Sequence, residues 1–203
     1  DYKGDIIHPQ KWPENFDCTN KKIVVIGSGA TAVTIVPELA SKASHITMLQ
    51  RSPTYIGNFP SKDKIGAIIK SIFPKKLAHS LIRLKNILIQ IIFFKLCKSF
   101  PVNMKELIIK GAEKQLGNFP VEPHFRPNYK PWEQRFCIAP DGDFFKVIKD
   151  GKASIITEHI DCFTKNGILL KSGKTIEADA IITATGLNLL AFGGTKINID
   201  SVP

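Results

Sequence analysis

Between residues 22 and 50 the apolar positions change rhythm twice. KIVVIG is apolar almost without a break, the pattern of a strand buried on both faces of a parallel sheet. Glycines and small residues follow, and from about Gly29 to Lys42 the apolar residues fall at helical spacing. A second apolar run, HITMLQ, ends at Gln50. Strand, helix and strand predict a βαβ unit. Pro37 lies inside the predicted helix and predicts a kink or a tighter first half.

From Ser61 to Leu116 the spacing is helical again, with breaks at Pro74 and Pro101. Leu77, Leu81, Leu84, Leu88 and Ile91 recur at steps of three and four, giving an apolar stripe beside a Lys/Arg face. Packing of that stripe into a core is the expectation, and contact with an anionic membrane surface is the alternative. The most apolar portion, Asn86 to Phe100, is interrupted by Gln90, Lys95 and Lys98 and reads as too short to span a bilayer. Gly117 to Phe136 carries four prolines and predicts an ordered loop.

DGDFFKVIKDG predicts a short helix, with Asp141 and Asp143 as capping candidates and Gly151 as its stop. Short strands follow in ASIIT, HIDCFT and GILLKSGKTIEA, with turns at Asn166-Gly167 and Ser172-Gly173, before a last buried strand in DAIITATG. The elements add up to an α/β fold: a Rossmann-like doubly wound parallel sheet, a helical insertion over about 61–116 and a small antiparallel β-meander. Residues 21–190 make the predicted domain, with 1–20 leading in and 191–203 leading out.

Composition narrows this only a little. The chain has 203 residues and a net charge of +10, enough length for one good core. The charge is not gathered into basic tracts and no nucleic-acid-binding signature accompanies it, so a nucleic-acid partner is not expected. Cys18, Cys97, Cys137 and Cys162 form no CxxC pair, and His45, His79, His124 and His159 lack metal-ligand spacing; no metal site is expected. The N-terminal stretch has no secretory pattern, which points to the cytoplasm.

The chemistry sits in the first turn. Gly27-Ser28-Gly29-Ala30-Thr31-Ala32 fits GxGxx(G/A) after a strand and before a helix. Gly27 makes the tight turn, Gly29 lets a pyrophosphate approach the backbone, and Ala32 permits close helix–strand packing. Free amides at the helix start hold the phosphates. A strand-end acid for the ribose of NAD is missing; Gln50, Arg51 and Ser52 stand there instead, and they suit the 2′-phosphate of NADPH. The alternative for Arg51 is an ordinary surface charge. The missing acid also counts against an S-adenosylmethionine site.

YKGDIIHPQKWP, with Tyr2, Gly4, His8, Trp12 and Pro13, resembles the FxGxxxHxxxWP fingerprint of Baeyer–Villiger flavin monooxygenases, with Tyr in place of the leading Phe. IVVIGSGATAVT, TMLQRSPTY, NYKPWEQR and IITATGLNL are similar to the subgroup that contains the ethionamide-activating monooxygenase. The resemblance implies that this is the NADPH-binding domain of a two-domain flavoprotein, beginning at the inter-domain fingerprint and ending as the chain returns toward an FAD-binding domain outside it. It implies a parent reaction in which NADPH reduces FAD, O2 adds to the flavin, and one oxygen enters a small carbonyl or sulfur substrate. Arg135, in PWEQRF, takes the place of the active-site cation, with Arg126 as runner-up and a structural ion pair as the alternative for either. His8 and Trp12 are expected at the inter-domain hinge, or else simply as pins of their segment to the sheet. Thr185 and Gly186 are expected at the cofactor, Gly186 otherwise being only a strand-ending turn. Such a fragment is expected not to turn over alone.

Two rivals remain at this point. One is a non-catalytic nucleotide-binding scaffold attached to a partner or membrane through a basic helical face that includes Lys85, Lys95 and Lys98. The other, a disulfide reductase-like flavoprotein, is disfavoured by the lack of CxxC.

Overall fold

The computed structural model describes residues 2–195. The expected outgoing segment 191–203 therefore lies outside the described residues from 196 onward. In chain order the elements are β1 (Asp5–Ile7), β2 (Lys22–Ile26), α1 (Ala30–Leu39), β3 (His45–Gln50), β4 (Tyr55–Phe59), α2 (Lys64–Ile72), α3 (Lys75–Ser99), α4 (Pro101–Leu116), β5 (Phe136–Pro140), α5 (Asp143–Lys149), β6 (Ala153–Thr157), β7 (Ile160–Thr164), β8 (Gly167–Leu170), β9 (Thr175–Glu177) and β10 (Ala180–Thr183).

Five strands form one parallel sheet in the order β1-β10-β2-β3-β6. Their apolar runs are explained by burial on both faces. Ile23, Val25, Ile46, Met48, Ala180 and Ile182 point into a core closed by α1, α5 and the proline-rich loop. Alternate residues Val24, Leu49 and Ile181 point the other way, onto Ile168, Leu170 and Ile176 of the β7-β8-β9 antiparallel meander. Helices thus cover one face and the meander covers the other. The first twenty residues are not separate from the sheet, because β1 is its edge strand, paired with β10.

α1 ends at Leu39, short of the expected Lys42, two residues after Pro37. The ring nitrogen of Pro37 has no proton to donate to the preceding turn, and past Leu39 the chain turns, with the amides of Lys42 and Ala43 both donating to the Leu39 carbonyl. β4 and β5, unmarked by local pattern, form a second, two-stranded parallel pair in which Tyr55 meets Phe136. All of α2, α3 and α4 lies in the connection between them. The two capping candidates divide: Gly142 is the residue at the start of α5, the Asp143 carboxylate in its first turn accepts from the Phe144 amide at 2.7 Å, and Asp141 instead accepts from the backbone and hydroxyl of Ser61.

The leucine stripe of α3 is not core. Leu77, Leu84, Leu88 and Ile91 are 48%, 54%, 47% and 45% exposed, and only Ala78 and Cys97 of this helix are buried. Periodicity shows that a helix has an apolar face; it does not say what covers that face. The span estimate also changes: α3 runs unbroken for 25 residues and is, among the described residues, the one helix long and apolar enough by length and composition to cross a membrane.

Candidate nucleotide-binding site

The carboxyl ends of β2, β3 and β10 open into a cleft of about 430 Å³. Its walls bring together Gly27 to Thr31, Arg51 and Ser52, Arg135, and Thr185 with Gly186. These residues come from four separated stretches of sequence, and crevices at strand ends are where open α/β sheets bind ligands.

The glycine turn is built for two different reasons. Gly27 has φ +130, its amide donates to the Leu49 carbonyl at 2.9 Å, and a Cβ there would lie 2.3 Å from the Ala184 carbonyl oxygen. Ala184, the residue after β10, therefore forbids any side chain there. Gly29 has ordinary extended angles, and the nearest atom to a Cβ there would be Cδ of Arg135, 4.0 Å away. The space beside Gly29 is open cleft. No side chain caps α1, so its leading amides and partial positive charge are available to an anion. Ala32 is fully buried in the core behind them.

Ser28 contributes differently from its neighbours. Its hydroxyl, 6% exposed, bonds to the Ser52 carbonyl and the Thr54 hydroxyl, each at 3.1 Å. It clips the glycine loop to the segment carrying Arg51, so only its backbone remains for a ligand. Thr54, fully buried, is a supporting residue that no motif marked.

Gln50 does not join Arg51 at the cleft. It is 2% exposed and its amide nitrogen donates to the His124 carbonyl and the Thr157 hydroxyl, both at 2.8 Å. Successive strand residues face opposite sides of a sheet, so Gln50 turns toward the helical core while Leu49 and Arg51 line the cleft. His124 also bonds Thr157, at 2.8 Å, and burial lowers its pKa, favouring the neutral ring.

Arg135 and Arg126 separate cleanly. Arg126 is paired with Glu106 at 2.6 Å and with Glu122, and lies outside the cleft. The runner-up is a structural ion pair. Arg135 has no carboxylate partner among the described residues, and it faces the glycine loop. Its main chain is fixed from below: the Tyr129 hydroxyl donates to the Arg135 carbonyl at 3.0 Å, and the Tyr55 hydroxyl donates to the Tyr129 carbonyl. Burial pushes Tyr55 up to about 12, so it stays a donor at any ordinary pH. Burial also raises the thiol of Cys137, with the charge of Arg135 pulling the other way.

Neither His8 nor Trp12 lines the cleft. His8 caps the short turn Pro9–Lys11 through Nδ1, and Trp12 meets Phe16 edge to face. Gly4 is required by crowding, since a Cβ would lie 2.3 Å from Oη of Tyr2 and 2.5 Å from the Asp179 carbonyl. The segment does reach the site indirectly. The side-chain amide of Gln10 accepts from the Asn188 amide at 2.7 Å and donates to its carbonyl at 3.1 Å, just past Gly186. Gly186 has φ +137 and open space around it, so conformation, not crowding, selects glycine. Among the described residues no cluster of His, Cys, Asp and Glu could hold a metal, and all four cysteines are free.

No protein-family model matches the sequence. A probable FAD-binding monooxygenase, AlmA, of Acinetobacter sp is 48% identical over 204 residues, covering 100% of this chain and 41% of that protein. The FAD-containing monooxygenase EthA of Mycobacterium tuberculosis (strain CDC 1551 / Oshkosh) is 48% identical over 202 residues, 98% of this chain and 41% of its own length. Among solved structures, oxidized steroid monooxygenase bound to NADP matches 92% of this chain and 43% of its own with a TM-score of 0.70 at 17% identity. Over nearly its whole length the chain is similar to FAD-containing monooxygenases, spanning 41% of the length of these relatives, and it shares its fold with a portion of the Baeyer–Villiger enzymes.

Proposed function

We propose that this chain binds NADPH as the pyridine-nucleotide domain of an FAD-dependent, Baeyer–Villiger-type monooxygenase that inserts one oxygen of O2 beside a carbonyl or at sulfur in a small substrate. The observation that carries the reading is the convergence of the glycine loop, Arg51, Ser52, Arg135, Thr185 and Gly186 on one cleft. The residues fit the nucleotide: Gly29 leaves open space where a phosphate must approach backbone, and α1 offers uncapped amides beside it. Arg51 and Ser52 would hold the 2′-phosphate, a role in which a guanidinium forms two charge-assisted hydrogen bonds. FAD, when bound, accepts the hydride and activates O2. Arg135 offers a fixed cation for negative charge developing in that chemistry, and its buried tyrosine supports keep it preorganised. The flavin site would belong mainly to the part of such proteins outside this chain, so the chain alone should not oxygenate anything; oxygenase activity in a pure, flavin-free preparation would contradict that.

Calorimetric titration with NADPH and NADH, repeated on Arg51→Ala, tests the reading. Hydrogen bonds to a charged group are worth about 1.5–3 kcal/mol, so NADPH should be preferred by about tenfold or more and Arg51→Ala should erase the preference. Equal affinity for both nucleotides removes the 2′-phosphate role of Arg51. If neither nucleotide binds, the proposal that the cleft is a working nucleotide site is removed.

A further inference from the structure

The outward face of the helical insertion takes no part in the cleft. From Lys64 to Lys105 there is no Asp or Glu, and the stretch carries Lys64, Lys70, Lys75, Lys76, Arg83, Lys85, Lys95, Lys98 and Lys105. The same stretch presents large apolar side chains outward. On α2 these are Ile65, Ile68 and Ile72, spaced along one face and 57%, 58% and 66% exposed. On α3 they are the leucine stripe described above, joined by Ile87 and Phe94. Monomeric soluble proteins rarely leave contiguous apolar patches of this kind uncovered. An acid-free rim of cations around one is complementary to a single common surface, an anionic lipid headgroup layer.

We propose that α2 and α3 dock this domain on the surface of an anionic phospholipid bilayer, lying in the interface with their outward apolar side chains inserted. The docked helix does not cross the membrane. α3 packs against both α2 and α4, Lys85 is paired with Asp63 ahead of α2, and Phe93 meets Phe59 and Phe136 edge to face at 6.2 and 5.7 Å. A helix fastened to its domain at so many points cannot enter the hydrocarbon alone. The pairing of Lys85 also removes it from the docking cations, leaving Lys75, Lys76, Arg83, Lys95 and Lys98 as those on α3 without a carboxylate partner among the described residues. Lys98 lies over the Phe94 ring at 5.8 Å, a basic-aromatic pair suited to the headgroup boundary. Trp132, 40% exposed and 6.0 Å from the Phe94 ring, gives this face its own reporter.

The test is flotation of the whole chain with phosphatidylcholine vesicles, with and without phosphatidylglycerol, at low and high salt. The chain should float only with the anionic vesicles and be released by salt. Arg83→Ala, Lys95→Ala and Lys98→Ala should each lower the partition coefficient about fivefold, since each cation near such a surface contributes about 1 kcal/mol. Leu88→Glu should abolish flotation while leaving the circular dichroism spectrum and NADPH affinity unchanged. In a Trp12→Phe background, the fluorescence of Trp132 should shift to the blue and be quenched by brominated lipid. Three results overturn the proposal: no flotation with anionic vesicles, equal flotation with neutral ones, or a dimer in light scattering that Leu88→Glu dissolves while vesicles are ignored. The last would assign the face to a second copy of the chain. The inference is independent of the nucleotide reading, because the vesicle result does not depend on NADPH.

Discussion

The two glycines of the first turn should fail in opposite ways when each is replaced by alanine. Gly27→Ala places a Cβ 2.3 Å from the Ala184 carbonyl oxygen at a φ of +130 that alanine rarely adopts. The backbone conformation alone costs about 1–3 kcal/mol. Relieving the contact means moving β10 away from β2 in the middle of the sheet, which adds to it, so a total of about 3 kcal/mol or more is expected. In a domain of this size each kcal/mol lowers Tm by about 2–4 °C, giving a fall of about 6–12 °C. Gly29→Ala meets nothing closer than 4.0 Å and has angles that alanine accepts, so Tm should hold or rise slightly through the stiffer unfolded chain. The new methyl does occupy the space beside the α1 amides, and NADPH affinity should fall about tenfold or more, equivalent to about 1.4 kcal/mol. Thermal melts by circular dichroism and calorimetric titration of both variants measure the four quantities. A stable Gly27→Ala would refute the packing argument; a Gly29→Ala variant that binds NADPH normally would refute the placement of the phosphates.

Other outcomes follow from the same geometry. Tyr55→Phe leaves the buried Tyr129 carbonyl without its donor and should cost about 1–3 kcal/mol in chemical denaturation, with NADPH affinity reduced as Arg135 loses its support. Arg126→Ala should lower Tm without touching nucleotide binding, and Arg135→Ala should do the reverse. The carboxyl of Asp63 is held below its ordinary value first by the hydrogen bond from Lys85 and then by the Gly66 amide. Its stabilising effect is therefore complete above the unfolded-state pKa and lost as pH falls through the lower folded-state value, so Asp63→Asn should flatten the acid limb of a plot of Tm against pH. Gln10→Ala should speed amide hydrogen exchange at Asn188 with little change in Tm, since only the exposed clamp on that loop is lost.

The βαβ unit and the meander were legible because their signals are local: continuous apolar strands, a glycine turn in its proper place, and Asn-Gly and Ser-Gly turns. Arg51, singled out at the strand end, and Arg135 and the Thr185-Gly186 pair, singled out through the family resemblance, are brought by the fold to one cleft. What was hidden depends on distant neighbours. The pairing of β4 with β5 leaves no periodic trace, because each strand is short and its partner lies beyond the whole helical insertion. Gln50 reads as a ligand beside Arg51 until strand alternation turns it onto His124 and Thr157. The supporting roles of Thr54, Tyr129 and Gln10 rest on one or two hydrogen bonds each, which no spacing announces. The α3 stripe was recognised correctly as a face and assigned to the wrong side, since amphipathicity carries no information about the occupant.

The β4-β5 pair also sets how far apart in the chain the parts of the site lie. Its two strands are joined only after α2, α3 and α4 have been accommodated between them, and loop-closure entropy must be met before five short backbone pairings can repay it. The glycine turn, by contrast, is made by neighbours in sequence and can form with β2, α1 and β3. Arg135 stands one residue ahead of β5. Arg135 is thus carried to the glycine loop across the whole helical insertion, whereas Arg51 is placed beside it by the βαβ unit itself.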